Sequence, residues 1–342
     1  MYQIENIKNT IIQGDCLAEL KKFPDECVDC VVSSPPYWSL RSYLSERDEN
    51  KNKEIGLEPK FNDYTFSLIK IFNEIKRVLK KDGTCFVNLG DTYFGGGRNG
   101  GGKDAMKRKR KYKQDTVKGS YNVFDWSKND FSKKSLVMIP ERFALEMLGK
   151  GWILRNKIVW HKKNAMPSSV LDRLSNKYEL IYFFVKSPRY YFDIDSIRIP
   201  YETNEKRPAG VIRERERGYN SKQGTKQKEQ EEASRLFGKR RPPKANGEYE
   251  RNPKGKNPGD VWTLTLQPHP EKHIAMFPEK LIMPIIKAGC PQDGIVLDPF
   301  MGSGTTAVTA KKLNRNFIGI DLNKEYCELA TQRLKHIQQS LL

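Results

Sequence analysis

Short apolar runs alternate with amphipathic segments along most of the chain. Thr10 to Gln13, Val28 to Val32 and Thr84 to Leu89 are short runs rich in β-branched or other apolar residues, which predicts strands. Phe61 to Leu79 carries apolar residues at helical spacing, which predicts an amphipathic helix. Strands that alternate with helices favour an α/β fold built on a doubly wound, mainly parallel sheet.

The second half of the chain repeats this alternation. Tyr178 to Val185 predicts a strand that runs antiparallel to its predecessor, Trp152 to Trp160. A strand that ends at Asp298, a helix from Ala307 to Leu313 and a strand from Asn316 to Asp321 follow. We therefore expect one antiparallel strand in an otherwise parallel sheet.

Two polar segments interrupt the alternation and divide the chain. About residues 95–135 are rich in Gly, Lys and Arg and predict a mobile basic loop, because so few apolar residues cannot offset the entropy of ordering. Residues 201–258 are equally poor in core-forming residues and predict a small basic insertion. The predicted parts are therefore 1–200, 201–258 and 259–342.

The net charge indicates a polyanionic partner. The 342 residues include 61 Lys and Arg against 42 Asp and Glu, a formal charge of +19. Nucleic acid is the first candidate for the partner, and a solvated basic surface without a ligand is the alternative. The candidate DNA contacts in the two polar segments are Lys107, Arg108, Arg110, Arg213, Arg240 and Arg241.

Other classes of function are disfavoured by single features. No run of eighteen apolar residues and no signal-peptide core is present, so we expect a cytoplasmic protein without a membrane partner. Cys27 and Cys30 have C-x-x-C spacing but no second pair, which is weak support for zinc, and we expect no metal. The run from Gly97 to Lys103 has the spacing of a phosphate-binding loop, but Asp104 occupies the position where that motif needs a hydroxyl. This disfavours an enzyme that hydrolyses nucleoside triphosphates.

A proline-bounded loop follows the second predicted strand. Pro35 and Pro36 cannot donate backbone hydrogen bonds, so the strand opens into a rigid loop at its carboxyl end, where open α/β sheets bind ligands. The Ser34 hydroxyl and the aromatic faces of Tyr37 and Trp38 suit a flat heterocycle that is held by its amino group. A proline-rich turn with two core aromatics is the alternative.

A glycine-rich turn near the carboxyl terminus is typical of a nucleotide cofactor site. Gly302-Ser303-Gly304-Thr305-Thr306 follows a strand and opens a helix, and Asp321 ends the next strand, where it can bind ribose hydroxyls. Asp298 would repel a pyrophosphate but suits the amino group of a methionine moiety, which favours S-adenosylmethionine over NAD. A turn without a cofactor is the alternative. Asp15, just past the first strand, either accepts a hydrogen bond from a ligand or caps a helix.

Together these motifs resemble the DNA amino-methyltransferases, which alkylate the exocyclic nitrogens of cytosine or adenine. Ser34-Pro35-Pro36-Tyr37 matches their catalytic motif, and Asp298-Pro299-Phe300 with the glycine-rich turn matches their cofactor motif. The circularly permuted order, with the catalytic motif first and a basic insert in the middle, is similar to their β class. The resemblance covers the chain except for about residues 95–135 and 201–258.

The resemblance implies a fold and a role for each part. It implies a seven-stranded Rossmann-like sheet in which the cofactor strand lies beside the strand that leads to Ser34. Residues 1–200 would be the catalytic half, 201–258 the target-recognition insertion and 259–342 the cofactor-binding half.

The resemblance also implies roles for single residues. Ser34, Pro35, Pro36 and Tyr37 would be catalytic, with Trp38 as a wall of the base pocket and a DNA contact. The cofactor-binding residues would be Asp15, His273, Phe277, Pro278, Asp298, Phe300, Gly302, Ser303, Gly304, Thr305 and Asp321.

The residue at position 34 bears on the target base. Many relatives have Asp there, and Ser is commoner among cytosine-N4 enzymes, so we expect methyl transfer from S-adenosylmethionine to N4 of a flipped cytosine in double-stranded DNA. The context would be restriction-modification, or another bacterial or phage DNA modification, with a possible cognate restriction endonuclease. Adenine-N6 methylation, a methyltransferase of RNA or a small molecule, and a catalytically inactive nucleic-acid-binding relative remain alternatives. We expect a monomer or a homodimer.

Overall fold

The structure is a computed structural model that describes residues 1–40, 42–94, 131–165, 168, 170–201, 252–265 and 278–340. The chain divides into two compact units. One unit comprises Met1–Phe192 and Asp260–Leu342, and the other comprises Asp193–Gly259.

The described residues of the first unit form eight strands and seven α-helices. The strands are β1 (Thr10–Gln13), β2 (Val28–Ser33), β3 (Leu79–Leu89), β4 (Ile153–Lys162), β5 (Tyr178–Val185), β6 (Val261–Leu264), β7 (Ile295–Asp298) and β8 (Asn316–Asp321). The helices are α1 (Ile4–Ile7), α2 (Cys16–Leu20), α3 (Phe61–Val78), α4 (Ile139–Gly149), α5 (Glu279–Gly289), α6 (Thr305–Lys312) and α7 (Lys324–Ser340). The predicted strands and helices thus all occur, with ends that differ by a few residues.

The strands form one sheet in the order β1-β8-β7-β2-β3-β5-β4-β6. β5 is antiparallel to both of its neighbours, and every other pair of adjacent strands is parallel. The mainly parallel sheet with one antiparallel strand is therefore confirmed. The predicted number of seven strands is wrong for the described residues, because β6 adds an eighth strand beside β4, with Trp160 paired to Trp262.

Helices cover both faces of the sheet, as expected for a doubly wound fold. Successive side chains of β2 point to opposite faces, so Val31 packs with α3 and α4 while Cys30 and Val32 pack with α5 and α6. Each face buries its own apolar cluster, which explains why β2 and β3 are apolar at nearly every position rather than at alternate ones.

The second unit is described at residues 193–201 and 252–259. Ile199 and Lys256 form an isolated antiparallel bridge, with N···O distances of 3.0 and 2.9 Å. The Arg198 side chain bonds to the Asp195 carboxylate at 2.5 Å and to the Gly255 carbonyl at 3.1 Å. These contacts join the two ends of the segment in which the basic insertion was predicted. Its role in target recognition stays a prediction.

Two further observations apply to the part of the chain that the structure describes. Its helices include none with the length and apolar character needed to cross a bilayer. Its His, Cys, Asp and Glu side chains form no group of three or more that could hold a metal ion.

Candidate active site

Five neighbouring strands end at one edge of the sheet. β1, β8, β7, β2 and β3 are parallel, so their carboxyl ends lie together. Asp15 follows β1, Asp321 ends β8, Asp298 ends β7 and Ser34 follows β2. The acidic residues of the predicted cofactor site therefore lie at the same edge of the sheet as the predicted catalytic loop.

The register fixes how close the two motifs are. Val31 in β2 pairs with Leu297 in β7, so Asp298 lies beside Val32, two residues before Ser34. Adjacent strands are about 4.8 Å apart. The prediction that the cofactor strand lies beside the Ser34 strand is confirmed, although almost the whole chain separates the motifs in sequence.

Asp298 is a buried carboxylate at the end of β7. It is 1% exposed, and it accepts hydrogen bonds from the Thr306 hydroxyl at 2.6 Å and the Phe300 amide at 3.1 Å. Burial raises its pKa from 3.8 to about 7, because two neutral donors only partly replace the lost hydration. Among the described residues it has no basic partner, so a positively charged ligand group would stabilise its ionised form.

Asp321 ends the neighbouring strand with both carboxylate oxygens in use. Oδ2 accepts from the Gly302 amide at 2.7 Å and Oδ1 from the Asn323 amide at 2.8 Å. Burial raises its pKa to about 6. Because each carboxylate oxygen has a second lone pair, both still have capacity to accept from hydroxyl groups of a ligand. Asp15 lies one strand further along and caps α2 by accepting from the Ala18 amide at 2.9 Å, and its role in cofactor binding stays a prediction.

The glycine-rich turn between β7 and α6 has two positions with positive φ. Gly302 has φ +54°, and a Cβ atom there would meet no atom within 4 Å, so its backbone borders open space. Gly304 has φ +84° and caps α6, and a Cβ atom there would lie 2.6 Å from Ala330 Cβ of α7. The first glycine thus leaves room for a ligand, and the second permits close packing of the turn on a helix.

The side chain of Ser303 in this turn faces the protein. Arg333 Nη1 of α7 donates to the Ser303 carbonyl at 2.6 Å and lies 3.0 Å from its hydroxyl. The same nitrogen is 3.4 Å from the Thr305 hydroxyl. Both side chains therefore help to anchor the turn on α7. Sequence reasoning missed Arg333, because nothing in the pattern of α7 distinguishes it from other helical basic residues.

The predicted catalytic loop is tied to β3 and β5 through Tyr37. Its hydroxyl lies 2.7 Å from Glu179 Oε2 and 2.9 Å from Asn88 Oδ1, and Ser34 Oγ lies 3.5 Å from the same Asn88 atom. Glu179 also pairs with Lys162. Burial and the Glu179 carboxylate raise the pKa of Tyr37 well above its usual range, so its hydroxyl stays protonated and is unsuited to act as a base. Asn88 and Glu179 were missed, although a polar residue inside the apolar run of β3 was an available signal.

The backbone of the loop leaves acceptors at one end. The Pro36 carbonyl accepts from the Tyr64 hydroxyl at 2.7 Å. The Pro35 carbonyl accepts from no donor among the described residues. Gly90 lies against the Tyr37 ring, where a Cβ atom would be 2.4 Å from Cε2. Hydrogen bonds at the Pro36 carbonyl and the Tyr37 hydroxyl therefore fix the loop. The Ser34 hydroxyl oxygen and the Pro35 carbonyl can still accept hydrogen bonds.

Trp38 is not part of a base pocket or a DNA surface. Its side chain is 2% exposed, packs edge-on against Phe61 and donates from Nε1 to the Glu58 carbonyl at 2.8 Å. A side chain this buried has no surface to offer DNA, so the predicted DNA contact is wrong. Trp38 is therefore a core aromatic residue, as in the alternative interpretation, and its buried contacts help to fix the position of the loop.

Several predicted site residues lie outside the described part of the chain. These are His273, Phe277, Lys107, Arg108, Arg110, Arg213, Arg240 and Arg241. Pro278 is described and precedes the first turn of α5, whose Leu281 amide donates to its carbonyl at 2.9 Å. Phe300 is partly buried against the apolar cluster that contains α3.

A doubly wound sheet that places an acidic cofactor turn beside a proline-bounded acceptor loop defines the class of amino-methyltransferases. Comparison with known proteins agrees with this assignment. A family model described as DNA methylase, of the N6 and N4 type, matches residues 28–332. The chain belongs to this DNA methylase family, and its methyl donor is S-adenosylmethionine.

Individual relatives cover nearly the whole chain. The Type II methyltransferase M.SmaI of Serratia marcescens is 34% identical over 95% of this chain and 90% of its own length. The Type II methyltransferase M.SfiI of Streptomyces fimbriatus is 34% identical over 92% of this chain and 88% of its own length. The structure of the cytosine-N4-specific PvuII DNA methyltransferase shares the fold, with a TM-score of 0.57 at 17% identity over 94% of this chain and 85% of that one.

Proposed function

We propose that this DNA methyltransferase modifies the exocyclic N4 of cytosine in double-stranded DNA. The observation that carries the proposal is the acceptor pair formed by the Ser34 hydroxyl and the Pro35 carbonyl, at the strand edge shared with Asp298. The family resemblance implies that many members carry a carboxylate at this position, and the neutral hydroxyl of Ser34 is the feature that favours cytosine over adenine.

The residues around the cofactor turn fit S-adenosylmethionine. When bound, this cofactor supplies an electrophilic methyl group on a sulfonium. Asp298 would hold the positively charged amino group of the methionine moiety, since its buried carboxylate lacks a basic partner among the described residues. Asp321 would accept from ribose hydroxyls, and Gly302 would let the ligand approach the backbone.

The chain's own part in methyl transfer is to hold and orient the target amine. The amine lone pair is delocalised into the base, so acceptors that engage its two N–H groups favour a more tetrahedral nitrogen with an available lone pair. Ser34 Oγ and the Pro35 carbonyl would be these acceptors, and Tyr37 would stack on a base rotated out of the duplex. Positioning of this kind would need no strong base, because the amine would lose its proton to solvent only after the nitrogen–carbon bond has formed and the carbon–sulfur bond has broken.

The relatives suggest a biological setting. Several are named Type II methyltransferases. We infer that this chain protects DNA within a restriction-modification system and that a cognate endonuclease recognises the same site. The monomeric or homodimeric state stays a prediction, which analytical ultracentrifugation would test.

Mass spectrometry of nucleosides tests the target base. The purified chain is incubated with unmethylated genomic DNA and S-adenosylmethionine, and the DNA is digested to nucleosides. We expect N4-methyldeoxycytidine. N6-methyldeoxyadenosine as the product would overturn the choice of base. The variant Ser34→Ala/Tyr37→Ala is the control and is expected to yield neither product.

Calorimetry and a second substrate separate the remaining alternatives. S-Adenosylmethionine should bind to the wild-type chain with one-to-one stoichiometry, whereas an inactive relative would show no binding. RNA of matched sequence should accept no methyl group under the same conditions. Transfer to RNA but not DNA would contradict the proposal.

A further inference from the structure

A loop between β4 and β5 shows an unusual distribution of polar and apolar side chains. Leu171 is 100% exposed and Leu174 is 90% exposed, three residues apart. Single exposed apolar residues are common on protein surfaces, but two fully exposed leucines on one short loop are not explained by packing. We refer to residues 170–177 as the leucine loop.

Three polar side chains of the leucine loop contact neighbouring segments of the protein, although they also remain exposed to solvent. Asp172 pairs with Lys134 at 2.6 Å. The Arg173 guanidinium lies 3.8 Å from the centre of the Tyr93 ring, and the Tyr93 hydroxyl donates to Asn176 at 3.2 Å. These surface contacts tie the loop to residues 93 and 134, while Leu171 and Leu174 remain exposed.

The leucine loop lies at the edge of the sheet that carries the candidate active site. β5 is antiparallel to β3, so its first residues lie beside the carboxyl end of β3, with Leu180 opposite Leu89. Glu179, five residues after Leu174, contacts the Tyr37 hydroxyl at 2.7 Å. Five residues span at most about 18 Å. Leu174 is therefore within reach of a DNA duplex whose target base lies at Tyr37.

Exposed basic residues accompany the leucines. Lys133 is next to Lys134, which pairs with Asp172, and Lys177 immediately precedes β5. Lys163 lies close by, since the amide of Lys162 donates to the Lys177 carbonyl at 2.7 Å. An apolar tip with cations beside it matches a DNA duplex, whose phosphates lie on either side of stacked, apolar base faces.

We propose that the leucine loop inserts Leu171 or Leu174 into the duplex beside the target base pair. The apolar side chain fills the gap left by the extracted base and offsets the cost of unstacking. This inference rests on the proposed extraction of the base, but not on which base is methylated. In this proposal the leucine loop opens the duplex, and Ser34 and Pro35 hold the amine of the extracted base.

Single-turnover methylation of two duplexes tests the proposal. Both contain the recognition site, identified beforehand by sequencing that reports modified bases. One duplex is fully paired, and the other has an abasic site opposite the target base, so that extraction needs no unpairing. The Leu171→Ala/Leu174→Ala variant should methylate the paired duplex about tenfold more slowly than the wild-type chain. On the abasic duplex the two rates should agree within about twofold.

Two further variants serve as controls. Leu145→Ala removes a leucine that is 67% exposed on α4 and should leave both rates unchanged. Leu171→Met/Leu174→Met keeps the apolar bulk and should retain the wild-type rate on the paired duplex.

Three results would overturn the proposal. An equal loss on both duplexes would show that the leucines act elsewhere, for example in contact with another protein chain or in folding. An unchanged rate on the paired duplex would show that they have no part in opening it. Failure of the methionine variant to retain activity would show that apolar bulk is not the relevant property. An adenine product overturns the proposed base specificity and leaves this test intact.

Discussion

Tyr37 combines an aromatic ring with a buried hydroxyl, and the two parts should contribute differently. Tyr37→Ala removes the stacking surface and should cost about 1–3 kcal/mol in kcat/KM for DNA, the usual contribution of a base–aromatic contact. Tyr37→Phe keeps the ring but removes the buried hydroxyl that lies within hydrogen-bond distance of Asn88 and Glu179. It should lower the free energy of unfolding by about 1–3 kcal/mol and affect kcat/KM less than Tyr37→Ala does.

Steady-state kinetics and urea denaturation of the two variants measure these effects. Calorimetry with S-adenosylmethionine is the control, since neither change touches the turn between β7 and α6. Equal losses of kcat/KM in both variants would contradict a stacking role for the ring.

The buried carboxylate of Asp298 should make the cofactor-free protein sensitive to pH. Its pKa of about 7 lies above the usual 3.8, so between these values the folded state binds more protons than the unfolded state. The contribution of Asp298 to stability is therefore greatest at low pH, falls as the pH rises to about 7 and is constant above that. Asp321, with a pKa of about 6, acts in the same direction.

Asp298→Asn should reduce this pH dependence and stabilise the cofactor-free chain above pH ~7.5. The gain is on the order of 1–4 kcal/mol, because an amide of the same shape avoids the burial of charge. Thermal unfolding between pH ~5 and ~8 measures it, with Asp25→Asn, at an exposed carboxylate, as the control. In the wild-type chain, affinity for S-adenosylmethionine should rise as the pH increases through about 7, and in the variant it should be weak at every pH. Tight, pH-independent binding by the variant would contradict the role given to Asp298.

At the scale of elements, the turn between β7 and α6 offers a matched pair of glycines. Both have positive φ, so alanine strains the backbone at either position by about 1–2 kcal/mol. Only at Gly304 would the added Cβ atom also meet α7, at 2.6 Å from Ala330 Cβ. Gly304→Ala should therefore lower the free energy of unfolding by about 1–3 kcal/mol more than Gly302→Ala.

Urea denaturation of both variants measures this difference. Gly302→Ala should instead weaken S-adenosylmethionine binding, because its Cβ atom would enter the open space beside the turn. Equal destabilisation of the two variants would show that the turn and α7 are not tightly packed.

At the scale of the whole molecule, the net charge of +19 should dominate DNA affinity. A protein that neutralises 6–10 phosphates loses about 10³–10⁵ in affinity between 50 and 200 mM salt, because counterions are released on binding. We expect a loss in this range for non-specific duplex DNA, measured by fluorescence anisotropy. S-Adenosylmethionine affinity, which depends on buried groups, is the control and should change little over the same range. A flat salt dependence for DNA would contradict a phosphate-binding role for the basic segments.

The sequence by itself determined the elements and the chemistry of both motifs. Apolar periodicity is local, so the strands, the helices and the antiparallel β5 could be predicted, as could the acceptors at Ser34 and the carboxylates at Asp298 and Asp321. The edge strand β6 was missed, since four residues with no clear alternation give too weak a local signal.

Contacts between distant segments were decided only by the tertiary structure. Burial of Trp38, the link from Tyr37 to Glu179 across three strands and the anchoring of the turn by Arg333 each join residues that no local pattern relates. The family resemblance implied that β2 and β7 are neighbours. Only the folded sheet gives their register, which places Asp298 beside Val32, two residues before Ser34. The physical reason is that burial and hydrogen-bond partners depend on which strands become neighbours, and the linear order of residues does not specify this.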